Sequence, residues 1–162
     1  MKKYLALLLV VVMSFALLTG CSDPVYDDFE NYMNVEITEV TANYEKITKE
    51  AGKWEGFEED AQLEESINDV MLPLVNDSLD RLAKISPATE EVKEIKEKYV
   101  KVMDAYKEGF TLLVESIKDQ DEEKMNAGNE KINEGIELLD EYNSALEALA
   151  KEVGAEIDYR YF

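Results

Sequence analysis

The stretch GNEKINEGIELLDEYNSALEALAKEV, residues 128–153, decides the fold. Along it Gly128, Ile132, Gly135, Leu139, Tyr142, Leu146, Leu149 and Val153 recur in alternating steps of four and three. That alternation is a heptad seam, an apolar stripe down one side of an α-helix. Glycine is a poor helix former, so Gly128 and Gly135 on the seam need a packing reason. Lacking side chains, they predict that a large neighbour such as Tyr106 or Phe110 comes close to the backbone. Gly154 supplies the stop, and Asp119 with Glu122 makes a capping-box-like pair at the start.

Working back toward the N-terminus, the same periodicity recurs. Val92, Ile95, Tyr99, Val102 or Met103, Tyr106, Phe110, Leu113 and Ile117 draw one face of a helix that ends near Lys118, with Thr89 as its cap. The break Ser86-Pro87-Ala88-Thr89 separates it from a helix at roughly 58–85. There the stripe reads Leu63, Ile67, Val70 or Met71, Leu74 or Val75, Leu79, Leu82 and Ile85. Pro73 lies inside that helix, where it removes an amide and crowds the carbonyl of Asp69. Because the stripe continues on both sides, a bend near Asp69–Pro73 is expected and a chain reversal is not. The bend is either simply tolerated or shapes a groove beside it. The first helix, roughly 24–52, carries Tyr26, Phe29, Met33, Ile37, Val40, Tyr44, Ile47, Ala51 and Trp54 at steps of three or four. Asp23 caps it, Pro24 suits its first turn, and Gly52 and Gly56 end its pattern.

Four helices of about 28–33 residues, each about 42–50 Å long, with short links, give an all-α class. The expected architecture is an antiparallel up-down-up-down four-helix bundle. Two long hairpins dimerising would satisfy the same periodicity. No repeat or second domain is evident, so residues 21–162 read as one helical-bundle domain behind a leader at 1–20.

The leader reading rests on Lys2 and Lys3, an apolar run from Tyr4 to Leu18, and the ending Leu18-Thr19-Gly20-Cys21. About 15 apolar positions fall short of the roughly 20 that a retained span needs. Leu18, Thr19, Gly20 and Cys21 resemble the lipobox of bacterial prolipoproteins. The resemblance implies a diacylglyceryl group on Cys21, cleavage before it and acylation of the new amine, hence lipid anchoring at the cell membrane on its extracytoplasmic face. Two or three chains anchor stably, at roughly 0.8 kcal/mol per buried methylene.

The full chain carries a net charge of −20; removing Lys2 and Lys3 leaves 15 basic against 37 acidic residues, a net of −22. Such a surface disfavours nucleic acid and an anionic bilayer face, and favours cations or basic partners. Cys21 is the only cysteine and there is no histidine. That removes the usual general base, the usual zinc ligand and the Glu-x-x-His di-iron motif. No nucleophile triad, phosphate loop or dinucleotide fingerprint occurs, so no catalytic residue, metal ligand or cofactor is expected and the chain reads as a non-enzyme.

In an up-down bundle anchored at Cys21, the link 86–89 and the end of the last helix return to the membrane side. Tyr26, Phe29, Tyr32, Tyr159, Tyr161 and Phe162 gather there, either capping the core or touching the interface. The far tip gathers Trp54 and Phe57, the candidate partner contact, beside Glu55, Glu58, Glu59 and Asp60, with Asp119, Asp121, Glu122 and Glu123 opposite. Asp119-x-Asp121-x-Glu123 opens like a calcium loop, but Lys124 stands in place of the glycine the turn needs. The leading expectation is a binding or structural lipoprotein of the envelope, with the membrane and an unidentified envelope protein or ligand as partners. The alternative is a receptor for a small ligand or divalent cation in the bundle or at the acidic tip. In general form the chain is similar to small acidic helical surface lipoproteins described as cell-wall-binding, a likeness that carries no functional residue over.

Overall fold

A computed structural model describes residues 23–157. The leader, including Leu18, Thr19, Gly20 and Cys21, lies outside the described residues, as do Tyr159, Tyr161 and Phe162. The chain is all-α. Its helices are α1 (Pro24–Asn31), α2 (Thr38–Ala51), α3 (Asp60–Glu65), α4 (Leu72–Leu82), α5 (Glu90–Asp119) and α6 (Glu122–Val153). A π-helical turn at Tyr32–Glu36 joins α1 and α2 into one rod, and another at Ser66–Met71 joins α3 and α4 into a second. With α5 and α6 as the third and fourth rods, the four-helix reading holds, although two of the rods are interrupted.

Cross-links fix the direction of each rod. Asn43 of the first bonds Asp77 and Ser78 of the second, while Glu50 accepts from Ser66, so these two run antiparallel. Tyr106 lies against Gly135 and Tyr99 against Tyr142, so α5 and α6 are antiparallel as well. Asp28 meets Thr89 and Tyr44 meets Tyr106, which sets the first and third rods parallel. This is up-down-up-down within one chain.

The seam on α6 is realised: Gly128, Gly135, Leu139, Tyr142, Leu146 and Leu149 are buried. Gly135 does receive Tyr106, whose ring would lie 2.8 Å from an added Cβ. Gly128 differs from the expectation. It faces Gly109 and Leu113, and a Cβ there would stand 3.0 Å from the Gly109 carbonyl. Two glycines on facing helices let the backbones themselves approach. A second difference is the cap of α6. Asp119 is the last residue of α5, and Gln120 takes the left-handed conformation at φ 52°. Asp121 then caps α6, accepting from the amides of Glu123 and Lys124 at 2.9 and 3.1 Å. The cap thus lies two residues later than Asp119, and only Gln120 and Asp121 separate the two helices. Asp23 and Gly154 act as expected, Gly154 at φ 75°.

The π turns change which residues face inward. Ile37 donates to the Tyr32 carbonyl, five residues back, at 2.9 Å. A wider turn rotates the apolar face, so Tyr32 and Met33 are both buried, and Tyr32 is 0% exposed. Phe29 is likewise 0% exposed, so of the two readings of the aromatic group, capping the core or touching the interface, these two rings fit the first. In the second rod the expected disturbance before Pro73 takes the form of the Ser66–Met71 π turn, in which Leu72 donates to the Ile67 carbonyl. Met71 and Val75, not Val70 and Leu74, take the core positions, and Ser66 and Ser78 are buried beside them.

Rings run through the core. Tyr99 and Tyr142 stack at 4.6 Å between centroids; Trp54, Phe110, Tyr106 and Tyr44 form a chain at 6.1, 5.9 and 6.1 Å. Burial pushes the Tyr32, Tyr99, Tyr106 and Tyr142 hydroxyls well above the ordinary range. They therefore stay protonated and serve as packing surface with a polar end. Tyr44 and Tyr106 hydroxyls share a bond at 3.5 Å, whereas that of Tyr32 lies near Tyr142 without hydrogen-bond geometry to any group. Asn43 does not serve a tyrosine; its amide donates to Asp77 and Ser78.

At the end where α1 begins, Asp28 closes the link to α5. Its carboxylate accepts from the Ala88 amide at 3.0 Å, the Thr89 amide at 2.8 Å and the Thr89 hydroxyl at 2.6 Å. Thr89 stands at the cap position of α5, yet its hydroxyl is spent on Asp28. Partial burial pushes the Asp28 carboxyl up, but these bonds and the Lys93 charge outweigh it and hold it below the ordinary value. A depressed folded value stabilises above the unfolded pKa, about 3.9 for aspartate, and the contribution disappears as pH falls through the folded value. Asp28→Asn is therefore less stable than the parent at neutral pH, and urea titrations below about pH 4 show the difference shrinking.

Candidate functional site

The far end of the first rod carries the predicted tip residues. After α2, Trp54–Gly56 form a single 3-10 turn, and Phe57 leads extended into α3. Trp54 is half-buried, not presented outward. Its ring meets Phe110 edge-on, and its indole N–H donates to Ser66 Oγ at 3.0 Å. Ser66 in turn donates to Glu50 at 3.0 Å, and Lys53 donates to the other Glu50 oxygen. The Lys53 ammonium holds the Glu50 carboxyl below its ordinary value, with Ser66 adding to it against partial burial. Trp54 thus closes the bundle end. Ser66 was not singled out from sequence, because a serine inside an apolar stripe gives no periodic signal.

Phe57 and the outer edge of Trp54 line a recess of about 180 Å³ with Glu58, Glu59, Asp60 and Leu63. The two predicted contact residues are therefore together, at a rim of carboxylates that suits a basic group. Glu58 and Glu59 amides donate to Gln62 at 2.9 and 3.1 Å, which fixes the lip.

The opposite acidic turn is held by lysines. Lys124 lies 2.5 Å from Asp119 and 3.5 Å from Glu115, and Lys118 lies 3.3 Å from Glu64. Asp121 is occupied by its capping bonds. Among the described residues no group of three or more carboxylates gathers as a metal ligand set. Nor is any helix among them long and apolar enough to cross a membrane.

A third feature lies beside Pro73. Lys46, Lys49, Glu50 and Lys53 from the first rod face Asp69, Val70, Pro73 and Leu74 from the second across a groove of about 410 Å³. The groove exists because the π turn turns Met71 and Val75 inward and leaves Val70, Pro73 and Leu74 on the outer side. Of the two readings of Pro73, a plain bend or a shaped groove, the geometry supports the second.

No family model, curated protein or solved structure matches this chain.

Proposed function

We propose that this chain is a membrane-anchored extracytoplasmic lipoprotein that works at the cell envelope by binding or spacing, not by catalysis. The supporting observation is the start of α1. Asp23 caps it and Pro24 opens it, so only Ser22 separates that cap from Cys21. Asp28 then clasps the Ala88–Thr89 link to the same end. A lipid on Cys21 is thereby coupled to the bundle with almost no slack, and the first rod holds the Trp54–Phe57 recess about 42 Å away, at the helical rise of 28 residues. The acidic surface keeps the body off an anionic bilayer. Interlocked rings fill the interior, and the open surfaces are at the tip and beside Pro73.

The test is metabolic labelling with an alkyne fatty acid. The parent chain takes the label and fractionates with membranes, while Cys21→Ala takes none. Equal labelling of Cys21→Ala, or an unlabelled parent chain in the soluble fraction, overturns the reading.

A further inference from the structure

The groove beside Pro73 has a composition unlike that of the chain around it. Its floor is apolar: Val70 and Leu74 are half-buried and the Pro73 ring is exposed. Its rim carries Lys46, Lys49 and Lys53 in a chain with a net charge of −20. The three lysines stand at i, i+3 and i+7, one stripe along α2 and its end. They are not equivalent. Lys53 is neutralised by Glu50, which is also fixed by Ser66. Lys46 and Lys49 form no ion pair among the described residues, and both are exposed. Lacking an ion pair is not peculiar to them, since Lys84, Lys98, Lys101 and Lys107 form none among the described residues either, whereas Lys93 pairs with Glu90 and Lys131 with Glu108 and Glu134; what sets Lys46 and Lys49 apart is the apolar floor they share. Two unengaged ammonium groups over an apolar floor are complementary to a negative head on an apolar body. Asp69, on the far wall, is the one carboxylate lining the groove besides the occupied Glu50. It repels a second negative charge placed on that side and so orients the head toward α2.

We propose that this groove binds an amphiphilic anion, whose apolar body lies on Val70, Pro73 and Leu74 and whose carboxylate or phosphate head is held by Lys46 and Lys49. The volume of about 410 Å³ is in the range of small-ligand sites and accommodates a short amphiphile. In the anchored orientation Lys46 lies about 33 Å along the first rod from its start. The occupant then comes from solution and not from the anchoring bilayer. Binding itself does not depend on the anchor, so it is tested separately from the lipid on Cys21.

The experiment uses the full chain in phosphatidylcholine nanodiscs, with amide chemical shifts followed during titration with hexanoate, hexyl phosphate, hexanol and inorganic phosphate. Saturable shifts confined to residues 46–53 and 69–74 are expected for hexanoate or hexyl phosphate, with dissociation constants on the order of 1 mM. The tighter of the two identifies the head group. Hexanol and inorganic phosphate each bind about tenfold more weakly or not at all, because each lacks one half of the recognition. The double variant Lys46→Gln/Lys49→Gln, at exposed positions, weakens the anions by about tenfold. Lys101→Gln/Lys107→Gln, off the groove, leaves them unchanged. Hexanol as tight as the anions, inorganic phosphate as tight as hexyl phosphate, shifts spread over the lysines generally, equal binding by the groove variant, or no saturable shift overturns the proposal.

Discussion

Gly109→Val destabilises the bundle by about 3 kcal/mol or more, and Gly109→Ala by about 1–3 kcal/mol. A Cβ at Gly109 would lie 2.8 Å from Ile132 Cγ1, 3.0 Å from the Gly128 carbonyl and 3.1 Å from the Ile132 amide nitrogen. The Ile132 contact is to a side-chain atom, but the other two atoms are backbone of α6 and move only if the helices part. Parting them loosens the Tyr106–Gly135 and Tyr99–Tyr142 contacts farther along. The opposing effect is the helix propensity gained on replacing glycine, about 1 kcal/mol, which is smaller than the expected clash. Urea denaturation measures the net. Gly56→Ala is the control: nothing lies within 4 Å of its added Cβ, and its stability stays within about 0.5 kcal/mol of the parent. A Gly109→Ala chain as stable as the parent would show that the third and fourth helices do not approach this closely.

Trp54→Ala costs about 3 kcal/mol, the lower end for losing a large aromatic because the ring is only partly buried. The loss has two parts. The ring abandons Phe110 at the end of the Trp54–Phe110–Tyr106–Tyr44 series. The indole donor also leaves Ser66, which is buried between Trp54 and Glu50. Trp54→Phe separates them: it keeps an aromatic ring and loses the donor, at about 1 kcal/mol. Far-UV circular dichroism in urea reads both variants without relying on indole fluorescence. If Trp54 were chiefly an outward-facing contact, Trp54→Ala would unfold at the parent's urea concentration.

These two residues also illustrate what the chain discloses before folding. The seam from Gly128 to Val153 is legible because a heptad repeat needs only local spacing; a large ring such as Tyr106 or Phe110 against its glycines is legible too, but that Tyr106 takes Gly135 while Gly128 meets Gly109 is not. Gly109 was not picked out, since a single glycine in a long helix matters only once its partner across the interface is known. Tyr32, Met71 and Val75 were misplaced or left ambiguous for another reason. A 3.6-residue period assumes regular α-helix, and each π turn shifts the face by part of a turn. Asp28 is invisible by pattern: its partners Ala88 and Thr89 are 60 and 61 residues away, and acids are too common here to mark one. The groove beside Pro73 was half legible, since proline announces a disturbance in the helix but not its shape. Cys21 and its preceding residues have the opposite character. Their meaning is chemical and lies in the order of residues, whatever fold follows.

The single tryptophan tests the proposed orientation of the bundle at a membrane. In the proposed lipid-anchored form, placed in vesicles through a lipid on Cys21, the chain is followed by energy transfer from Trp54 to a dansyl group on the lipid headgroups. The account predicts weak transfer, because the first rod sets Trp54 about 42 Å from the anchored end, while a tryptophan introduced at Ala88 in a Trp54→Phe background transfers strongly. Strong transfer from Trp54, or equal transfer from both positions, would contradict it.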